Sequence, residues 1–245
     1  MKDTCTVFGS QLPALSSQRR RVPRGVCAFT LIELMMVVAL IALLVGAFGL
    51  SLGDTGGNSL ASAQKALGSL VGAARAQSAV NQTEARLVVY ATRPPSGDSD
   101  KYLRLLQVFR NDPVGSTTWV AVGSPTYLPR GVYLVPTSTT GLLASGVTWP
   151  TNPAPLSTLN SGFSLNAASA PVGTAFNGAT LFWLGFNPDG SISGTVSVTP
   201  YAKLVLATGA LSATNLPAFN NAGAVRGVLV RPTGAVTYVN DAASF

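Results

Sequence analysis

Between residues 34 and 50 the chain has no polar side chain. With Phe29 to Ile32 in front, this apolar run approaches the roughly 20 residues that a helix needs to cross a bilayer core. One acid, Glu33, interrupts it near its start. An ionised carboxylate deep in lipid costs about 2.5–3.5 kcal/mol or more, so a chain that keeps one there has a use for it. The pattern predicts a membrane helix over 29–52. Gly53-Asp54-Thr55-Gly56-Gly57-Asn58 should break or kink the chain after it, with Asn58 or Ser59 capping a second helix. In that second stretch Leu60, Ala63, Leu67, Leu70, Val71 and Ala74 recur at helical spacing as far as about residue 82.

Beyond residue 82 the period changes to that of strands. Runs at 86–91, 102–110, 118–122, 180–186, 191–199, 202–207, 225–230 and 235–239 are β-branched or aromatic and alternate. They are separated by turn signals at 93–98, 111–115, Asn187-Pro188-Asp189-Gly190 and Arg231-Pro232-Thr233-Gly234. The stretch 136–171, rich in Ser, Thr, Asn, Pro and Ala, reads as long loops. The expected fold class is α+β, helices followed by strands and hairpins, with no internal repeat.

Charge fixes the topology of such a chain. Ahead of the apolar run stand Lys2, Arg19, Arg20, Arg21 and Arg24 against Asp3, a net of +4 (5 minus 1), and the next basic residue after it is Lys65. Basic residues stay on the cytoplasmic side, so the leader lies inside and everything beyond about residue 53 outside. Of the formal charge of +7, only +3 (7 minus 4) belongs to the rest of the chain, too little to indicate a nucleic-acid surface. Both cysteines, Cys5 and Cys27, precede the apolar run and there is no histidine. A chain without residues 1–28 therefore has no disulfide, no thiol and no imidazole, which removes the usual nucleophile–base pairs. Charged residues are 10% of the chain, against about 25% in typical domains, which suits an extracytoplasmic head packed among neighbours.

The segment Ala28-Phe29-Thr30-Leu31-Ile32-Glu33-Leu34, between a basic leader and an apolar helix, resembles the processing site of type IV prepilins and type II secretion pseudopilins. The resemblance implies that a prepilin peptidase cuts between Ala28 and Phe29 and methylates the new amino group of Phe29. Ala28 stands where the family usually has glycine, and Glu33 becomes the fifth residue of the mature chain, the family's glutamate position. It further implies that Glu33 pairs with the Phe29 amine of a neighbouring subunit during assembly. The implied fold is a long N-terminal helix, its first half membrane-spanning, packed on an antiparallel β-rich head. It is organised as a leader over 1–28, a membrane helix over 29–52, the second part of the N-terminal helix over 53–82 and a periplasmic β-rich head over 83–245. The implied partners are the prepilin peptidase, other pseudopilins or pilins, an inner-membrane assembly platform and membrane lipid. Shorter matches, Ala-Arg-Ala-Gln-Ser-Ala at 74–79, the Phe-Asn-Pro-Asp-Gly turn at 186–190 and the closing strand-Pro-Thr-Gly-strand, resemble the H-type pseudopilins. FimT-like minor pilins, which serve pilus priming or DNA uptake, share the first of these. An ordinary signal peptide, cut near Gly46 to Gly53, would leave Glu33 without a purpose, and a stand-alone membrane-anchored binding module is the remaining reading.

Other candidates carry ordinary readings beside the chemical one. Asp189 could be offered to calcium, but that ion wants six to eight oxygens, the nearest acid in sequence is Asp241, and Pro-Asp-Gly is a turn signal. Arg226 and Arg231 flank the last strand, and two arginines release too few counterions to hold DNA at physiological salt. Nucleic acid is not an expected partner. Asn81-Gln82-Thr83 fits the glycosylation pattern but is read as a helix end. Lys65, Lys101 and Lys203 have no catalytic motif around them. No enzyme activity, metal or cofactor is expected.

Overall fold

The computed structural model describes residues 30–51, 55–112, 116, 118–164, 174–193 and 201–245. The expected leader, Ala28, Phe29 and the end of the strand expected over 191–199 lie outside the described residues. Two units are distinct, residues 1–52 and Gly53–Phe245.

In the first unit α1 spans Leu31–Ser51. Its described side chains, from Leu31 to Leu43, are all exposed, among them Leu31 at 77%, Ile32 at 76% and Leu43 at 70%. Among the described residues no helix is long and apolar enough to cross a membrane. The membrane helix expected over 29–52 runs past these side chains at both ends.

The second unit opens with α2 (Thr55–Asn81). It begins three residues before the expected cap, so Asn58 and Ser59 lie inside the helix. Gly56 and Gly57 stand in its first turn. Strands follow as β1 (Ala85–Tyr90), β2 (Leu105–Asn111), β3 (Trp119–Tyr127), β4 (Val132–Val135), β5 (Asn160–Ser164) and β6 (Thr180–Phe186). Then come β7 (Ile192–Ser193), β8 (Ala202–Leu211), β9 (Pro217–Phe219), β10 (Val225–Val230), β11 (Val236–Val239) and a closing 3-10 turn at Ala242–Ser244.

The described strands form two antiparallel sheets. One runs β3-β2-β1-β6-β5, with β7 also on β6, and the other β11-β10-β8-β4, with β9 also on β8. The fold is thus α+β with antiparallel sheets. The α2 helix packs on strands of both, including β1, β2, β8 and β10. The face predicted from spacing is the buried one, with Leu60, Ala63, Leu67, Val71 and Ala74 all at 3% exposure or less.

Strand β1 shows why one stretch reads as continuously apolar. Leu87 and Val89 join the core under α2, while Val88 and Tyr90 join a smaller cluster on the opposite face with Phe109, Trp119 and Phe176. A strand covered on both sides loses its polar alternation.

Five expectations about strands need correction, the first being β3, which runs five residues past the expected end at 122. Residues 102–104 form a turn rather than the start of β2. Strand β8 extends four residues past 207, and β4 and β9 had no predicted counterpart. The stretch 136–171 is not simply loop, since it contains β5. Part of it also serves as a sheet edge. Lys203 N donates to Thr158 Oγ1 (2.7 Å) and Val205 N to Ser157 Oγ (2.9 Å), while Thr158 N donates to Lys203 O (2.9 Å). These bonds satisfy the β8 backbone at Val205, opposite the last residue of β4, and at Lys203 beyond it. Trp149 anchors the same stretch by packing on Phe219 with ring centroids 5.5 Å apart.

Candidate functional site

Glu33 lies in the first turn of α1. Thr30 starts the helix, accepting the Glu33 amide at its hydroxyl (3.3 Å) and at its carbonyl (3.0 Å). Thr30-Leu31-Ile32-Glu33 therefore has the threonine and glutamate spacing of a capping box, a signal present in the sequence and passed over. A carboxylate at this position also faces the positive end of the helix dipole. Around it the exposed Leu31, Ile32, Leu34, Met35 and Met36 give α1 an apolar surface on every side, the property of a helix that is surrounded by lipid or by other helices.

In the head, the α2 stretch at 74–79 and the turns at 186–190 and 231–234 come together. Asn187-Pro188-Asp189-Gly190 and Arg231-Pro232-Thr233-Gly234 are matched turns. In each the glycine amide donates to the carbonyl of the first residue, Gly190 to Asn187 (2.8 Å) and Gly234 to Arg231 (2.7 Å). In each that first residue also closes the hairpin, Asn187 N to Ser191 O (2.8 Å) and Arg231 N to Ala235 O (2.8 Å). Both glycines are left-handed, with φ of 78° and 76°. The two hairpins belong to different sheets, yet Ile192 N donates to Pro232 O at 2.9 Å. A Cβ on Gly234 would lie 2.3 Å from Gly190 O and 2.8 Å from Arg75 Cδ. Arg75 of α2 thus lies over the meeting point of the two turns. The groove here holds about 560 Å³, between Gly68, Gly72 and Ala76 of α2 and the turn residues Asp189, Gly190 and Gly234.

Nearby, Gln64 on the buried face of α2 donates from Nε2 to Gly227 O (2.8 Å) and Val239 O (2.7 Å), tying the helix to β10 and β11. Its place in an apolar stripe gave no sign of this role, because the acceptors are more than 160 residues away in sequence.

The remaining candidates have local partners. Asp189 Oδ1 accepts the Ser191 hydroxyl (2.6 Å) and amide (2.9 Å), and these bonds hold its carboxyl below the usual aspartate value. Among the described residues no group of three or more acids is placed to hold a metal. Asn81 ends α2, donating to Gln77 O (2.9 Å) and accepting from Arg110 Nη1. Gln82 then takes a left-handed φ of 52°, and Thr83 N reaches back to Ser78 O at 3.2 Å, closing a Schellman-type end. Arg226 lies in β10 opposite Leu206, and Arg231 sits in the turn beside Tyr201 and Pro232. Lys101 pairs with Asp98 at 3.4 Å, Lys203 Nζ donates to Phe245 O at 2.6 Å, and Lys65 is exposed on α2.

No curated protein and no solved structure matches the chain. Residues 23–49 match the prokaryotic N-terminal methylation motif, which is typical of type IV pilin-like proteins and implies processing by a prepilin peptidase and assembly with other pilins.

Proposed function

We propose that this chain is a minor pseudopilin of a type II secretion system, with no enzymatic activity of its own. In this reading the 28-residue leader is removed between Ala28 and Phe29, and Phe29 is methylated. The apolar helix over 29–52 holds the subunit in the inner membrane with the head in the periplasm and enters a pseudopilus through an assembly platform. Glu33 supplies the register. A carboxylate in an apolar setting is costly alone, and pairing with the Phe29 amine of a neighbouring subunit removes much of that penalty only when the two helices are correctly offset.

The observation that carries the choice of pseudopilin is the meeting of Arg75 with the Asp189-Gly190 and Gly234 turns. These are the parts of the head whose sequence resembles the H-type pseudopilins, and one contact explains all three. Genes for a secretion ATPase and an outer-membrane secretin beside this one would agree with the reading. The direct test is deletion of the gene in its own host. Loss of proteins from the medium with pili and DNA uptake intact is the expected result. Intact secretion with lost piliation or DNA uptake would assign the chain to the FimT-like minor pilins instead.

A further inference from the structure

A second cleft of the head, of about 440 Å³, lies away from the groove over the paired turns. Its wall is Arg104, whose side chain is only 9% exposed. Nη2 donates to Leu128 O (2.9 Å) and Nη1 to Asp100 O (3.4 Å), while Nε has no partner among the described residues. The Asp100 carboxylate is 3.7 Å from Nη1 and its side chain is 77% exposed, so water screens the pair. A buried guanidinium with a spare N–H and a screened counter-ion is under-compensated. Arg130 and Tyr133 line the same cleft. Burial raises the pKa of the Tyr133 hydroxyl, Arg104 lowers it and Asp100 raises it, so that at neutral pH the hydroxyl is a neutral donor.

The backbone at this cleft is also incomplete. Strand β4 pairs with β8 only as far as Val132 opposite Thr208, and Gly209 N then donates to Gly131 O at 2.9 Å. Strand β9 occupies the other side of 209–211. Among the described residues Ala210 and Leu211 therefore have no strand on the β4 side, and the alternation of an antiparallel strand turns the main chain of Leu211 toward that open edge. Leu211 lines the cleft and is 47% exposed.

We propose that this cleft binds an extended acidic segment of a partner polypeptide, which pairs with the open edge at Leu211 and lodges a carboxylate between Arg104 and Arg130. A guanidinium fork matches a carboxylate in shape and charge, and Tyr133 offers a third donor. The cleft is far larger than a bare oxyanion requires, a single water in liquid occupying about 30 Å³. The strand edge adds main-chain bonds that only a peptide can use.

The test uses the full-length protein in detergent micelles and a fluorescent, end-capped Val-Thr-Glu-Val-Thr peptide, followed by anisotropy. The Glu peptide should bind, and the same peptide with Gln should bind about tenfold more weakly, as expected for loss of one charge-assisted contact. Arg130→Gln at the exposed rim should weaken the Glu peptide by a similar factor with the melting temperature unchanged. Arg104→Lys, which keeps the charge and loses the fork, should weaken it as well. Equal binding of the Gln peptide, insensitivity to Arg130→Gln, or no binding up to about 1 mM would each overturn the proposal. Inorganic phosphate displacing the peptide at the peptide's own binding concentration would also overturn it, and would make the cleft a free-anion site.

Discussion

Replacing Gly234 with alanine should destabilise the head by about 2–5 kcal/mol, for two separable reasons. The residue has φ of 76°, and a side chain in the left-handed region costs about 1–2 kcal/mol. The new methyl would also lie 2.3 Å from Gly190 O and 2.8 Å from Arg75 Cδ and Nε. Arg75 can move aside, because it is exposed and flexible. Gly190 O cannot, because it belongs to the backbone of the opposing turn, and overpacking of this kind costs about 1–3 kcal/mol. A loss near 3 kcal/mol lowers the melting temperature of a domain of this size by roughly 6–12 °C. Gly72→Ala is the matched control, since a Cβ there meets nothing within 4 Å among the described residues. In a helix interior that change should stabilise by up to about 1 kcal/mol. Both variants can be measured by urea and thermal denaturation of a soluble fragment beginning near Asn58. If Gly234→Ala unfolds within about 0.5 kcal/mol of the unaltered fragment, the range of an ordinary surface change, the close approach of the two turns under Arg75 is wrong.

Gln64→Leu should keep the apolar packing of α2 and leave Gly227 O and Val239 O without their side-chain donor, lowering stability by about 1–3 kcal/mol in the same denaturation assay. The Asp189 carboxyl should titrate below the ordinary aspartate value of about 3.9, because Ser191 donates to it twice. A depressed pKa gives stability that is present above the ordinary value and lost as pH falls through the folded one. NMR titration of the Asp189 carboxyl carbon should therefore show its change below about pH 4, moving upward in Ser191→Ala. Glu33→Val should insert into the membrane at least as well as the unaltered chain, since a cost of about 2.5–3.5 kcal/mol disappears. Its crosslinking to neighbouring subunits, in cells making the whole assembly system, should fall sharply.

Much of the head was legible because its strands are punctuated. Strands β6 and β10 were read with their observed ends, since Thr180–Phe186 and Val225–Val230 each run into a Pro- and Gly-containing turn. The buried face of α2 was legible because burial on one side of a helix leaves a 3.6-residue period. Strands β4 and β9 escaped for physical reasons. Val132–Val135 is buried on both faces and shows no alternation, and Pro217–Phe219 is three residues long and starts with proline. The polar 136–159 stretch looked like surface loop, yet Ser157 and Thr158 complete the edge of β8 with hydroxyls, a role that composition does not reveal. The N-terminal methylation motif over 23–49 was legible because its chemistry is local: a small residue, a glutamate and an apolar run in fixed order. The cleft around Arg104 and the meeting of the two turns depend on residues far apart in the chain, and no local pattern marks them.

The most direct measurement of the central claim is the mass of the N-terminal peptide of the protein extracted from membranes of its own host. The account predicts a chain that has lost residues 1–28 and begins with N-methylated Phe29. A chain that begins beyond Gly46, as after ordinary signal cleavage, or one that keeps Met1 and its leader, would contradict it.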